Sequence, residues 1–276
     1  MKWQTSRFQI DLQRPQVMGI VNVTPDSFSD GGQHAHARQA ILHCQRLVEE
    51  GVDILDIGGE SSRPGATRLS DAEEWSRVEA VLREALTLGV PVSIDTCKPV
   101  LMQRALDLGV DIINDIQALR AEGALSAVRA HPRAGVCLMH MRGDSGSMQG
   151  LVDYADLVGE VASFLAERAS VLRAAGIDAD RIVLDPGYGF AKTSEQNFQL
   201  LARQSELMGL GYPLLIGWSR KRALGDLTSR PVEQRLAGSL AAALAGVARG
   251  ARVLRVHDVA ATVDAIKVWQ AVSSRA

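Results

Sequence analysis

The feature that most narrows the fold of this chain is a rhythm. Short runs rich in Val, Ile and Leu recur eight times, at 17–23, 53–57, 92–95, 111–116, 136–139, 181–185, 213–217 and 252–256. They show little polar alternation, as strands buried on both faces should. Between them lie longer stretches with helical spacing at 36–50, 71–88, 99–108, 154–175, 195–208 and 231–249. In one of these, Val161, Phe164, Leu165, Arg168 and Leu172 recur at three- and four-residue steps and make one stripe. Ser70 with Asp71, and Ser194 with Glu195, read as helix starts, while Gly51, Gly89, Gly109, Gly176 and Gly250 read as helix stops. Eight strand-and-helix units in 276 residues predict a (β/α)8 TIM barrel, an α/β fold, as a single domain over residues 1–276. An open doubly wound sheet is the alternative, but no GxGxxG crossover supports it.

Charge and composition exclude several function classes. Thirty Lys and Arg against thirty-two Asp and Glu leave a formal charge of −2, so the basic field that nucleic acid requires is missing. Aromatic residues are only 4%, too few for base-stacking platforms. The three cysteines have no CxxC spacing and spell neither a disulfide framework nor a zinc site. The amino terminus lacks the apolar core of a secretory signal, and the small-residue run at 236–247, about a dozen residues, is too short to span a bilayer. A soluble cytoplasmic protein, with no nucleic-acid or membrane partner, is the expectation.

A barrel interior wants Val, Ile and Leu, so polar residues at strand ends need a reason. Here they stand on nearly every strand: Asn22, Asp56, Asp95, Asn114 and Asp115, His140, Asp185, Ser219 and Lys221, Arg255 and His257. In this fold, the carboxyl ends of the strands and the loops after them build the catalytic face. Any one such residue serves equally well as a cap or loop anchor; so many together point to a site. Two long loops, 24–32 and 60–66, follow the first two strands and suit covers that exclude water. The cations Arg63, Lys221, Arg255 and, if protonated, His257, with the hard oxygen ligand Asn22, suit a diphosphate and Mg2+. Asp95, Asp185 and Asn114 instead suit a planar heterocycle that presents an amino group beside a ring N–H.

These residues fall in motifs. Met18-Gly-Ile-Val-Asn22-Val-Thr-Pro-Asp-Ser-Phe28-Ser-Asp-Gly-Gly32 and Asp56-Ile-Gly-Gly-Glu60-Ser-Ser-Arg-Pro-Gly-Ala66 are followed in order by Ser93-Ile-Asp-Thr96, Ile112-Ile-Asn-Asp115 and Leu138-Met-His-Met141. Leu184-Asp-Pro-Gly-Tyr-Gly-Phe190, Gly217-Trp-Ser-Arg-Lys221 and Arg255-Val-His-Asp258 complete the set. Over nearly its whole length the chain resembles the dihydropteroate synthase family, a sulfonamide target. The resemblance implies a barrel that joins (7,8-dihydropterin-6-yl)methyl diphosphate to para-aminobenzoate, releasing diphosphate and making dihydropteroate for folate synthesis. It implies Asn22 as the ligand of the Mg2+–diphosphate, with Ser62, Arg63, Arg255 and His257 around the phosphates. Asp95, Asn114, Asp185 and Lys221 would bind the pterin ring. Phe28, Pro64, Phe190, Ser219 and the stem of Lys221 would form the aminobenzoate pocket. A homodimer is implied as well, for which the small-residue run at 236–247 offers a flat face. Ser62, Tyr188 and Ala191 depart from the commoner Thr, Phe and Gly, and none of these removes a charged or metal-ligating group.

An aryl amine is already neutral at pH 7, so the expected chemistry needs no activated protein nucleophile. Diphosphate leaves first, and the methylene cation that remains spreads into the ring. Asp95 and Asp185 favour that positive charge, while Mg2+, Arg63, Arg255 and His257 favour the departing negative charge. Two other functions stay open: a pterin-dependent methyltransferase, which has no diphosphate to hold, and a binding protein without chemistry. Three local patterns are set aside. The segment 187–193 ends like a phosphate loop but has Pro186 and Ala191 at the two required glycines. Arg142-Gly143-Asp144 is a chance adhesion tripeptide, and His34 with His36 is a surface pair without a third ligand.

Overall fold

The structure, a computed structural model, describes residues 1–24, 33–61, 68–143 and 146–273. The chain opens on an antiparallel hairpin, β1 (Lys2–Gln4) and β2 (Gln9–Asp11), which the periodicity did not reveal because each strand is three residues long. Then come β3 (Gln16–Asn22), α1 (Gln33–Glu49), β4 (Ile54–Gly58), α2 (Asp71–Ala85), β5 (Val92–Asp95), α3 (Pro99–Leu108), β6 (Ile112–Asp115) and α4 (Ala124–Arg129). The second half is β7 (Gly135–Met139), α5 (Leu157–Ala174), β8 (Ile182–Asp185), α6 (Ser194–Ala202), β9 (Leu214–Ile216), α7 (Arg222–Thr228), α8 (Leu236–Ala248), β10 (Ala251–Val256) and α9 (Val259–Ser273). Strands β3 to β10 pair in parallel with their neighbours, and β10 returns to β3 to close a barrel. The expected (β/α)8 TIM barrel is the observed fold.

Period two along the strands decides what faces the barrel axis. Met18, Ile54, Ile112, Cys137, Val183, Leu215 and Val253 form one buried cluster with Trp3, Ile10 and Leu12. The amino-terminal hairpin therefore plugs the floor of the barrel, where the Trp3 indole N–H donates to the Arg181 carbonyl at 3.0 Å. Arg7 reaches under the barrel to the fully buried Asp111, Nη2 to Oδ2 2.6 Å. Two residues further along the same strands stand Ile20, Asp56, Asn114, Met139, Asp185, Gly217 and Arg255. The interior thus changes from hydrocarbon to charge within one layer. The other strand face, with Val17, Leu55, Ile57, Ile94, Ile113 and Leu138, packs under the helices.

Helix ends follow local chemistry. Ser70 caps α2 in a reciprocal box with Glu73. α6 departs from expectation: its cap is Thr193, boxed with Gln196, because that pair satisfies two backbone donors that Ser194 and Glu195 leave alone. α5 starts three residues later than its stripe predicts, since the Glu160 carboxylate accepts from the N–H groups of Ala155 and Asp156 and closes the first turn. The expected helix at 195–208 stops at Ala202 and continues as a tighter turn, Gln204–Leu210. Helices α4, α7 and α9 were not read from the sequence; α4 and α7 span only six and seven residues. Among the described residues, no helix is long and apolar enough to cross a membrane.

Candidate active site

Arg255, two residues beyond Val253 on β10, organises one side of the polar layer. Its Nε donates to Asp56 Oδ2 at 2.6 Å and its Nη2 to Asp95 Oδ2 at 2.6 Å. Asn114 adds an amide N–H to the same Asp56 oxygen at 3.2 Å. The four residues come from β10, β4, β5 and β6, so closure of the barrel is what brings them together. Asp56 has no exposed surface, and its other oxygen, Oδ1, finds no partner among the described residues. Burial, with Asp56 adjacent, pushes Asp95 above the usual carboxylate range, and Arg255 pulls it back. Arg255 itself is held firmly protonated by the two carboxylates. Gly58, opposite Asp95 in register, leaves that side chain room; a Cβ there would lie 3.4 Å from its Cβ.

The opposite side is built on β8 and the turn after it. Asp185 is 6% exposed, and its Oδ1 accepts the Gly187 N–H at 2.7 Å, which leaves Oδ2 for a ligand. Burial raises Asp185, and that hydrogen bond opposes the rise. Lys221 lies over the Phe190 ring with Nζ 4.4 Å from its centre. Burial, then the charge of Arg255, draws the Lys221 ammonium down to about 8. Gly189 allows this approach: its φ is +81°, and a Cβ there would stand 2.9 Å from Lys221 Cδ. Phe190 closes the wall with Met139, Met141 and Met148.

His257 and Ser219 meet at the rim, Oγ to Nδ1 3.0 Å, and the His257 N–H donates to the same hydroxyl at 3.1 Å. Burial, with Arg220 and Arg255 near, pushes His257 down to about 3. It is therefore a neutral imidazole at pH 7 and not a fourth cation. Asn22, half-buried, ends β3 on the interior-facing parity of Met18 and Ile20. Phe28, Ser62, Arg63 and Pro64 lie outside the described residues. The separation into an anion half and a heterocycle half is not clean either. Arg255, expected beside phosphates, has two of its donors on Asp56 and Asp95, because buried carboxylates need a cation.

Two features had only a weak sequence signal. Asp56 was legible as a polar strand end but not as the partner that steadies Arg255 and Asn114. Lys192 stood in the rejected phosphate-loop pattern; it is buried and bonds to His140 Nδ1 at 3.0 Å. In the adhesion-like tripeptide, Arg142 pairs with Glu160 and stacks on Tyr154 at 3.7 Å, a structural use, while Asp144 lies outside the described residues. The His34 side chain is likewise not described. Among the described residues, no group of three or more His, Cys, Asp or Glu side chains could hold a metal ion.

Comparison with known proteins places these residues in context. The family described as pterin binding enzyme matches residues 18–257. Dihydropteroate synthase of Neisseria meningitidis serogroup C is 54% identical over 273 residues, 98% of this chain and 96% of that protein. The structure of Xanthomonas albilineans dihydropteroate synthase with 4-aminobenzoic acid superposes with a TM-score of 0.90 at 53% identity, covering 96% of each chain. The same organism's enzyme in complex with 7,8-dihydropteroate superposes at 0.91 with 48% identity, covering 99% of each.

Proposed function

The chain belongs to the pterin-binding enzyme family, and from that membership we infer the function that its barrel mouth supports. It is a dihydropteroate synthase, a transferase that condenses (7,8-dihydropterin-6-yl)methyl diphosphate with para-aminobenzoate and releases diphosphate. The observation that carries this is the 54% identity, sustained over 98% of the chain, to a dihydropteroate synthase. The structural relatives bound to 4-aminobenzoic acid and to 7,8-dihydropteroate support one substrate and the product.

In our reading of the site, the dihydropterin ring presents its amino group and ring N–H to Asp185, whose Oδ2 remains open. Asn114 and Asp95 face the ring from the other side. Both carboxylates are poorly solvated, so a positive charge developing on the ring is favoured by fields that water does not screen. Loss of diphosphate comes first, and the neutral aryl amine then captures the methylene carbon. Lys221, over the Phe190 ring and within the field of Asp185, is placed in this reading to steady the ring and the leaving oxygen alike. Arg63, Ser62 and His257 complete the phosphate side, and Phe28, Pro64, Phe190 and Ser219 the aminobenzoate pocket.

We propose a Mg2+ ion as the companion of the diphosphate, as the family resemblance implies. Mg2+ keeps most of its waters and takes one or two protein oxygens. The single amide oxygen of Asn22, at the end of β3, would supply such a ligand. When bound, the ion would neutralise charge on the departing diphosphate. We also propose a cytoplasmic homodimer, supported by the family resemblance and by exposed Leu227, Val268 and Val272 at 68%, 67% and 66%. Light scattering that returns a monomer mass would overturn the dimer.

The reaction is tested by mixing the protein with both substrates and Mg2+ and weighing the product. Dihydropteroate that forms with Mg2+ and fails to form after chelation is the expected result; a folded protein with no product would remove the synthase reading. A second expectation concerns pH. Lys221 is a cation below about 8 and neutral above it, so affinity for the dihydropterin diphosphate should fall as pH rises through 8. The loss is at most about tenfold per pH unit for one proton. Calorimetric titrations at pH 7 and 9 that agree within error would remove Lys221 from diphosphate recognition.

A further inference from the structure

We propose that Lys192 is a positioning residue for the aminobenzoate end of the site: its ammonium fastens the 187–190 turn and thereby fixes the ring of Phe190. The proposal rests on the synthase reading above.

Lys192 is 5% exposed. Its Nζ donates to the Gly187 carbonyl at 3.0 Å, to the Phe190 carbonyl at 3.1 Å and to His140 Nδ1 at 3.0 Å. An ammonium has three donors and no acceptor, so this set is complete. Burial draws Lys192 down to about 7; the charge of Asp185 opposes the fall, and those of Lys221 and Arg142 add to it. The third acceptor is itself secure. Burial and the Lys192 charge push His140 down to about 2, so its ring stays a neutral acceptor, edge-on to Phe164 at 5.1 Å between centres.

Burying an ammonium is costly, and a methionine would fill the same volume without that cost. What the charge secures is a backbone shape. The turn is unusually bent: Gly187, Gly189 and Ala191 all take positive φ, +70°, +81° and +49°. A Cβ on Gly187 would strike the His140 carbonyl oxygen at 2.0 Å, so the turn lies directly against the end of β7. Two further backbone groups of the turn are bound by side chains. Asn197 Oδ1 accepts the Gly189 N–H at 2.6 Å, and the Tyr154 hydroxyl donates to the Ala191 carbonyl at 2.9 Å. Lys192 is the one cation among these partners, and it holds both ends of the Gly187-to-Phe190 span. Phe190 then carries Lys221 on its ring and lines the apolar wall with Met139, Met141 and Met148. Asp185 stands on strand β8 and touches the turn only through the Gly187 N–H that its Oδ1 accepts, so pterin recognition depends on the turn less than the Phe190 ring does.

Lys192→Met is therefore expected to separate the two substrates. KM for para-aminobenzoate should rise about tenfold, the value of one to two lost hydrogen bonds, with kcat and the dissociation constant for the pterin changed less than about threefold. Tyr154→Phe, which keeps the ring under Arg142 and loses only the bond to Ala191, should raise the same KM about two- to threefold. A merely structural lysine would lower the active fraction, and so the apparent kcat, while both KM values stayed put. Unchanged KM for para-aminobenzoate in both variants overturns the proposal; if Lys192→Met does not fold, the Tyr154→Phe value alone decides. A parent protein that makes no dihydropteroate is a different result, and it removes the synthase reading instead.

Discussion

Arg255→Ala should unfold about 3–5 kcal/mol more easily than the parent at pH 8, and recover part of that deficit at pH 5. The magnitude follows from what is left behind. The Asp56 side chain is wholly buried and that of Asp95 15% exposed, and both carboxylates lose the guanidinium that now sits 2.6 Å from each. The sign follows from proton counting. Without the cation that opposes its rise, Asp95 in the folded protein holds a proton at pH values where the unfolded chain, near 3.9, has released it. Stability therefore falls as pH rises through that window, and the deficit is largest above it. Urea melts of parent and variant at the two pH values measure this; an equal deficit at both would mean that the carboxylates do not depend on Arg255. Arg255→Lys keeps the charge but not the fork, and should recover stability without recovering activity.

Asp185→Asn should weaken pterin binding about 100-fold while leaving the fold intact. In the parent, one oxygen is committed to the Gly187 N–H at 2.7 Å and the other is free to accept from the ring. Asparagine keeps the turn by giving its only oxygen to Gly187, and then points an NH2 group at ring donors. Truncating one side of a buried, charge-assisted pair costs about 2–5 kcal/mol, which brackets that fold-change. Binding of the dihydropterin diphosphate by calorimetry checks it. An affinity within about threefold of the parent would take Asp185 out of ring recognition.

Much of this protein was legible before any coordinates. The eight apolar runs coincide with the eight barrel strands to within a residue or two at each end, because strands buried on both faces write continuous hydrophobic text. The polar letters that interrupt them, Asp56, Asp95, Asn114, Asp185 and Arg255, all lie on the inward parity of their strands. The amino-terminal hairpin was not legible, since three-residue strands carry no periodicity, and Trp3 reads as core only once the barrel floor above it exists. Thr193 was missed as a cap because Ser194 next to it offers the same chemistry one residue on.

The sequence alone determined the barrel, the ring of polar strand ends and, through its motifs, the family. Those depend on local pattern: hydrophobic period, turn residues and identity in register. Only the tertiary structure decided which charges neutralise which. Arg255 and Asp56 are 199 residues apart in sequence, and closure of β10 onto β3 sets them 2.6 Å apart. Closure likewise made His257 neutral, left Asp56 with an oxygen that has no partner among the described residues and set Lys192, the lysine of a false phosphate-loop pattern, against the carbonyls of a turn. Burial and pairing set the charge state of each group, and both are properties of distances that no linear spacing encodes.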